Sequence, residues 1–450
     1  MSNYRAVTYR TLRIRLAITA GIFSLAATNA SAIDLLGIYE FARNNDPTYL
    51  AAGSAHEAAL EQTAQARASL LPTLDGQASH SRSVTSLDAP GRPWRAFSTN
   101  AISLTLSQPV YRRDLVVALD QAKTRVAKAD VDYASSLQGL MLRVATAYFN
   151  VLNSIDNLTF AKANKQAISE QLKQAQQRFD VGLIAITGVE EAKARFDLAT
   201  STEIQAENGL SDSIEVLREI VGEYYEAETL AKLGDEMPLI TPEPDNIGKW
   251  TDIAFEQNLE VASANFDVAI AKDEIKRRNS GHYPTVTLVG TASGSDASKT
   301  RATEGLETQD ASLSLQLNVP LYAGGRVSSE TRQARAQHRQ ALNVYESARR
   351  SVQRETRQSF TGVKSGISRV QALKQAVVSN KSALDAVQAG FQVGTRTSVD
   401  VLDAQREFFL AEFDYAEARY NYIVDILTLK RAAGTLSEED LRSVNAWLTP

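Results

Sequence analysis

The sequence contains no cysteine in its 450 residues, which excludes a disulfide scaffold and a thiolate metal site. Its four histidines show no metal-ligand spacing: His56, His80, His282 and His338. There is no catalytic constellation, and the glycines of Gly290–Gly294 do not open a helix as a phosphate loop does. We therefore expect a protein that is not an enzyme and that holds neither a metal nor a cofactor.

After the N-terminus, the sequence also lacks an apolar run of the roughly 20 residues that a transmembrane helix needs. The early apolar stretch Leu16–Ala27 is too short to span a bilayer. It follows four arginines between Arg5 and Arg15, and it precedes Ala30-Ser31-Ala32, an A-x-A cleavage site. These features predict that residues 1–32 are a cleaved signal peptide and that the mature chain starts at Ile33.

An excess of positive charge is missing as well. The predicted signal peptide holds four of the 48 basic residues and no acid, so the mature chain has 44 Lys and Arg against 53 Asp and Glu, a net charge of −9. This balance argues against a nucleic-acid partner. A secreted chain without disulfides or membrane helices suits a Gram-negative periplasm or outer membrane, and a membrane location would require a β-barrel.

The sequence repeats itself at a spacing of about 212 residues. Arg178–Ala199 aligns with Gly390–Ala411, and eight of the 22 positions are identical. Pro72-Thr73 matches Pro284-Thr285 at the same spacing. Self-similarity at a long period indicates that one structural unit is present twice.

Each half is predicted to contain a helix, two strands, a long helix, a tight turn and a helix. The first repeat covers residues 33–244 and the second covers 245–433, followed by a tail at 434–450. The proline-bearing linker Gly234–Lys249 and the acidic tail show no helical seam, so we expect both to be surface attachments.

The long helices are predicted from apolar residues that step by three or four positions. One runs from about Asp114 to Asp180, and its counterpart runs from Arg326 to Val393. At 1.5 Å per residue, each helix is on the order of 100 Å long. Such a length suits a coiled-coil rod or tube rather than a globular domain.

Four other segments alternate apolar and polar residues with a period of two. They lie around Leu74–Val84, Ile102–Leu106, Val286–Leu288 and Leu313–Leu321. Runs of about ten such residues match membrane-spanning strands, although a soluble hairpin alternates in the same way. The polar loops Ser86–Arg95 and Ser295–Glu307 are then predicted to be external.

In this interpretation, Leu315 and Leu317 face lipid, whereas Ser314 and Gln316 face a lumen. Four strands cannot close a barrel, and hydrocarbon does not tolerate an open strand edge. Copies of the chain must therefore share strands. A dimer, a trimer and a tetramer would supply eight, twelve and sixteen strands, and physics alone does not choose among them.

Both helical turns contain a glycine where a helix ends, Gly182 and Gly394, which predicts left-handed backbone at these positions. Thr187 with Glu190 and Thr397 with Asp400 have the spacing of a capping box for the returning helix. At the junction between the last strand and the long helix, Gly324-Gly325 predicts a turn that needs backbone freedom.

Asp400 and Asp403 are three residues apart, so both lie on one face of the returning helix. They are either a helix-start acid and a solvated acid, or part of a ring of carboxylates around a symmetry axis that attracts cations.

Several segments resemble the TolC family of outer-membrane efflux and secretion channels: Val181–Thr187, Val393–Asp403, Pro320–Arg326 and Ala418–Ile423. The resemblance covers essentially the whole mature chain. It implies a homotrimer with a 12-stranded outer-membrane barrel that continues as a 12-helix periplasmic tunnel. It also implies a passive exit duct for multidrug efflux and type I protein secretion, joined through a periplasmic adaptor to an RND or ABC pump of the inner membrane.

The same resemblance favours the carboxylate ring for Asp400 and Asp403. It further implies a latch at the tunnel mouth formed by Arg396, Phe391, Glu190 and Glu191. One position departs from the family, since Gly188 stands where TolC-like sequences often have an aspartate. An acidic partner of Arg396 is therefore missing, so the closing contacts must be weaker or built differently.

A periplasmic coiled-coil adaptor or structural protein of an export system is the alternative. Adaptors also have long helical hairpins, but usually one per chain together with a lipoyl-like domain. Two helical hairpins and two strand hairpins in tandem favour the duct.

Overall fold

The computed structural model describes residues 33–85, 95–234, 236–298 and 305–449. The predicted signal peptide lies outside these residues, as do nine of the ten residues of the predicted external loop Ser86–Arg95 and six of the thirteen of Ser295–Glu307.

The described residues of the first half contain four α-helices and two long strands. In chain order they are α1 (Leu35–Asn45), α2 (Pro47–Ala68), β1 (Thr73–Thr85), β2 (Arg95–Tyr111), α3 (Arg113–Asp180) and α4 (Ile186–Val221). A short strand, β3 (Lys232–Leu233), follows.

The second half repeats this order and is followed by a short tail. Its elements are α5 (Ile247–Gln257), α6 (Leu259–Asn279), β4 (Thr285–Ala297), β5 (Leu306–Asn318), α7 (Arg326–Gln392) and α8 (Ser398–Ala432). The tail forms α9 (Glu438–Asn445) and β6 (Leu448–Thr449). The predicted order of two strands, a long helix, a turn and a helix is present in each half, but two helices precede the strands where one was predicted, because Asp46 and Asn258 cap a second helix.

The predicted long helices are also confirmed. Helices α3 and α7 contain 68 and 67 residues, and their bounds agree with the predicted ones to within one residue. At 1.5 Å per residue, each is about 100 Å long. Helix α3 packs against α4, α6 and α8, and α7 packs against α6 and α8, so the helices lie side by side.

The four long strands form one antiparallel sheet in the order β1-β2-β4-β5. Its two hairpins meet at β2 and β4, which leaves β1 and β5 at the edges. The strands have 13 to 17 residues, longer than the predicted ten or so. Strand β5 ends at Asn318, so the last residues of the predicted run, Val319–Leu321, lie beyond the strand.

The sheet has one apolar and one polar face over the half nearest the helices. Leu315 and Leu317 lie opposite Leu288 and Val286, and Gln316 lies opposite Thr287. Residues paired across neighbouring strands share a face, so the leucines and Gln316 face opposite sides of the sheet. The predicted alternation is confirmed.

The largest hydrophobic core lies midway along the long helices, where Tyr148, Phe149, Tyr422 and Ile423 are buried. The tail contributes to this core. Leu441 is 0% exposed and Val444 is 2% exposed, and β6 pairs with β3. The expected surface attachment is therefore wrong for the tail, because α9 buries its apolar face against the helices.

Within the four described ranges, no helix is both long enough and apolar enough to cross a membrane.

Candidate functional site at the tips of the helical hairpins

Helices α3 and α4 are joined by a tight turn at Gly182. The backbone N–H of Gly182 donates to the carbonyl of Phe179 at 2.8 Å, and that of Leu183 donates to the carbonyl of Arg178 at 2.8 Å. This pair of bonds is a Schellman motif, which requires left-handed backbone at the glycine. Gly182 has a φ of 76°, as predicted.

Helices α7 and α8 are joined by a turn with the same hydrogen bonds. The N–H of Gly394 donates to the carbonyl of Phe391 at 3.2 Å, and that of Thr395 donates to the carbonyl of Gly390 at 2.9 Å. Gly394 has a φ of 79°. The internal repeat therefore extends to the backbone geometry of both tips.

The two returning helices begin differently. At α8, the N–H of Thr397 donates to Asp400 Oδ2 at 2.7 Å, and the N–H of Asp400 donates to Thr397 Oγ1 at 3.2 Å, which confirms the predicted capping box. At α4 the capping residue is Ala185, whose side chain accepts no bond. The capping box predicted at Thr187 is wrong, because the helix starts at Ile186 and Thr187 lies inside its first turn.

Asp400 is held as a carboxylate by this cap. Hydrogen bonds from the backbone N–H and the hydroxyl of Thr397 keep the pKa of Asp400 below its ordinary value, and the positive charge of Arg396 lowers it further. The side chain is therefore a fixed negative charge at the start of α8 at neutral pH.

Arg396 lies in the second turn, and its side chain is exposed. Glu190 and Glu191 are exposed near the start of α4. In the part of the chain that the structure describes, Arg396 forms no ion pair with either glutamate or with another acid. A single chain does not bring these three predicted latch residues together.

Phe391 is in contact with a residue that sequence reasoning missed. The guanidinium carbon of Arg178 lies 4.2 Å from the centre of the Phe391 ring, a cation–π contact between the ends of α3 and α7. Asp403 is likewise engaged, since Arg195 Nη1 of α4 lies 2.7 Å from Asp403 Oδ1. Two contacts thus join the first hairpin to the second.

Apolar packing joins the same two hairpins. Leu402 of α8 is buried in a small cluster with Ile168 of α3 and with Val189 and Ala192 of α4. Its neighbour Asp403 therefore lies close to the first hairpin, where it contacts Arg195.

The internal alignment carried a signal for the two missed arginines. Arg178 corresponds to Gly390, and Arg195 corresponds to Glu407. The two hairpins have the same backbone at these positions but different charges. Such differences indicate where the two hairpins make different contacts.

The turn of the first hairpin is apolar at its surface. Val181 is 70% exposed and Leu183 is 73% exposed, and Ile186 is exposed beside them. In the second turn, Val393 is 76% exposed, but Thr395 and Ser398 stand at the positions of Leu183 and Ile186. An apolar patch at the free end of a long hairpin is the kind of surface that a protein partner covers.

At the opposite end of α7, Gly324 and Gly325 have φ values of 59° and 77°. Their left-handed backbone turns the chain into α7, whose capping residue is Gly325. The predicted need for backbone freedom is confirmed.

Comparison with known proteins places these features in one family. The sequence pattern of the outer membrane efflux protein family matches this chain twice, at residues 38–223 and 250–435. The two matches begin and end 212 residues apart, the spacing of the internal repeat. The chain belongs to the outer membrane efflux protein family.

Individual relatives agree with this membership. Outer membrane protein TolC of Vibrio cholerae is 40% identical over 92% of this chain and 94% of its own length. Proteases secretion protein PrtF of Dickeya chrysanthemi is 29% identical over 95% of this chain and 93% of its own length. Among solved structures, the CmeC outer membrane channel of Campylobacter jejuni superposes with a TM-score of 0.75 at 17% identity, covering 97% of each chain.

This outer membrane efflux protein is accordingly located in the outer membrane and extends into the periplasm. The fold is that of the outer-membrane channels, mostly helical with a repeated unit that includes strands. The alternative of a periplasmic adaptor is wrong, because both halves of the chain match the outer-membrane family.

Proposed function

We propose that this outer membrane efflux protein is the exit duct of tripartite efflux and type I secretion systems. It would passively conduct substrates from a periplasmic adaptor and an inner-membrane pump to the exterior. The observation that carries the proposal is the match of both repeats to the efflux family, together with full-length relatives named TolC and proteases secretion protein.

The assembly that fits this function is a homotrimer with a 12-stranded barrel. The four-stranded sheet has free edges at β1 and β5, and an open edge in hydrocarbon leaves backbone groups without partners. Pairing of β1 with β5 of a second copy removes both edges. Three copies supply twelve strands, and their helices α3, α4, α7 and α8 would form a periplasmic tunnel of twelve helices.

Each chain then comprises two units, residues 33–244 and 245–433, that alternate around the tunnel. The spacing of the two family matches supports this division. The tail from residue 434 to 450 would lie at the equator of the tunnel, on the periplasmic side of the membrane, because it packs midway along the long helices.

The apolar face of the sheet would contact outer-membrane lipid. An arginine at Leu315 or Leu317 should cost about 2–4 kcal/mol near mid-membrane, whereas an arginine at Ser314 or Gln316 faces the lumen and should cost much less. Leu315→Arg and Gln316→Arg form a matched pair on one strand. Equal yields of folded protein in membrane insertion would contradict the assigned faces.

The tips of the hairpins would be the periplasmic mouth, where the adaptor docks. Val181 and Leu183 supply an exposed apolar surface there. Asp400 and Asp403 would surround the mouth as carboxylate rings, and Arg396, Phe391, Glu190 and Glu191 would contribute to its closure. In the described part of its own chain Arg396 forms no ion pair, although its charge acts on Asp400, so its closing contact would be to a neighbouring copy.

Expression in a Gram-negative host that lacks its own efflux duct tests the proposal. The chain should restore resistance to exported dyes and the secretion of a type I protein substrate, with an RND pump and an ABC transporter respectively. Cross-linking in detergent should end at a trimer. Cross-linking that ends at a dimer or tetramer, or a host that stays sensitive despite correct localisation, would contradict the duct.

A further inference from the structure

We infer that Arg195 determines the ion selectivity of the mouth, because it neutralises Asp403 and leaves Asp400 as the free carboxylate in the closed state. The inference rests on the proposed duct and adds a residue to it. Its basis is the contact between α4 and α8, in which Arg195 Nη1 lies 2.7 Å from Asp403 Oδ1.

The two aspartates have different surroundings although they lie on one helix face. In the described residues, Asp400 accepts hydrogen bonds from Thr397 of its own helix cap, and these bonds, together with the charge of Arg396, keep it ionised. Asp403 shares its charge with Arg195 of the other hairpin. A neutral pair contributes little to the field in a pore, so the two aspartates would supply three unpaired carboxylates to a trimer rather than six.

The other charges near Asp403 do not replace Arg195. Arg406 follows one turn later on α8, but its guanidinium Nη2 binds Glu407 Oε1 at 2.9 Å. Arg406 and Glu407 therefore form a second pair with no net charge. Arg195 is the cation that directly contacts Asp403 in the part of the chain that the structure describes.

A tunnel of alternating hairpins has two kinds of interface, one within a chain and one between neighbouring chains. The internal repeat indicates that the pair of Arg195 and Asp403 occurs only at the interface within a chain. The counterparts of Arg195 and Asp403 are Glu407 and Glu191. In a ring of alternating hairpins, these two glutamates would occupy the equivalent positions between neighbouring copies. Two acids repel each other there, so the attractive contact exists only within a chain.

The same asymmetry applies to the cation–π contact. The counterparts of Arg178 and Phe391 are Gly390 and Phe179, and glycine supplies no cation. Both contacts therefore hold the two hairpins of one chain together and have no equivalent between chains. Opening that separates α4 from α8 would release Asp403 and make the mouth more negative.

Planar-bilayer recordings of the purified full-length protein under a KCl gradient test the role of Arg195. Arg195→Gln should raise the ratio of cation to anion permeability by about twofold, because it frees three carboxylates in the pore. Arg406→Gln combined with Glu407→Gln removes both charges of the neighbouring pair, leaves the pair of Arg195 with Asp403 in place, and should leave the ratio unchanged. Arg195→Asp combined with Asp403→Arg re-forms the pair and should return the ratio to that of the wild type.

Each outcome decides the question. Equal shifts from Arg195→Gln and from the double variant Arg406→Gln with Glu407→Gln, in protein that cross-links as wild type, would overturn the inference and leave the duct intact. A wild-type protein that inserts but carries no current would overturn both the duct and the inference.

Discussion

The two hairpin tips share a backbone but not a surface. Both end in a Schellman turn with a glycine near φ 76–79°, and corresponding hydrogen bonds differ by 0.4 Å or less. The first tip exposes Val181 and Leu183 and begins its returning helix at Ala185 without a side-chain cap. The second exposes Arg396 and begins its helix with the Thr397–Asp400 box.

The two repeats therefore have the same turn backbone, whereas the side chains of the two turns differ. An apolar tip can be covered by a partner, whereas a charged and capped tip can hold a defined position near a pore axis. We therefore expect docking to depend mainly on the first tip and the state of the mouth to depend mainly on the second. Substitutions at equivalent positions can separate these roles.

The largest effect is expected from a charge in the apolar tip. Leu183→Asp should reduce export through the duct by about tenfold. The change removes an apolar contact with the partner and buries a carboxylate at the interface. Thr395→Asp is the matched control, since Thr395 is the counterpart of Leu183. Dye accumulation in the complemented host measures both variants, and equal losses would show that the tips dock alike.

A second effect is expected at the mouth itself. Arg396→Ser should raise single-channel conductance several-fold, because the arginine can donate up to five hydrogen bonds to groups that hold the mouth closed. Gly188→Asp should lower conductance, because it adds the acidic partner that the first hairpin lacks. The space around Gly188 permits this change, since a Cβ atom there would first meet the Ile184 side chain at 3.4 Å.

Planar-bilayer recordings distinguish this latch from the alternatives. If Arg396→Ser leaves conductance unchanged while Asp400→Ala with Asp403→Ala opens the mouth, the carboxylates are gate residues and the latch is wrongly placed. The double alanine variant should otherwise leave the mouth closed and reduce cation preference.

A third, smaller effect is expected from exchanging the helix caps. Thr397→Ala should cost the first turn of α8 about 1 kcal/mol, because two backbone N–H groups lose or weaken their bonds. Ala185→Ser should stabilise the first turn of α4 by a similar amount, since Ala185 already has extended cap backbone. Hydrogen exchange by mass spectrometry would show changes of about fivefold in opposite directions.

Much of this architecture could be predicted from the sequence because it depends on periodic patterns. Helices α3 and α7 contain 68 and 67 residues, so an exception to the apolar pattern at one position does not alter the prediction of a helix. The turn glycines were equally predictable. A Schellman motif needs left-handed backbone at this position, and glycine adopts it without steric cost.

The contacts between the tips could not be predicted because they join residues far apart in the chain. Arg195 and Asp403 are more than 200 positions apart, and no local pattern fixes how two hairpins lie side by side. The predicted capping residue of α4, Thr187, was wrong because the exact end of the turn is not visible in the sequence. Thr187 has the spacing of a capping box, but the turn ends one residue before Ile186 and leaves Ala185 as the cap.

The smallest difference between the tips should appear at low pH. The pKa of Asp400 lies below its ordinary value of about 4, so the folded tip favours the ionised form. The stabilisation that results is present above the ordinary pKa and is lost as the pH falls through the lowered one. The first tip has Ala185 and Gly188 at its helix start, and its local stability should not change over this range.

Spin labels at equivalent positions can measure this difference, because the chain has no native cysteine. Ile186→Cys and Ser398→Cys lie at the starts of α4 and α8, 212 residues apart. Acidification from about pH 5 to pH 2 should make the label at position 398 more mobile and leave that at 186 unchanged, since only α8 loses a charged cap. Asp400→Asn should give the mobile spectrum at every pH, because an amide cannot ionise. A label at 186 that responds equally would mean that acid loosens the hairpins as a whole, and the cap would then not account for the difference between the tips.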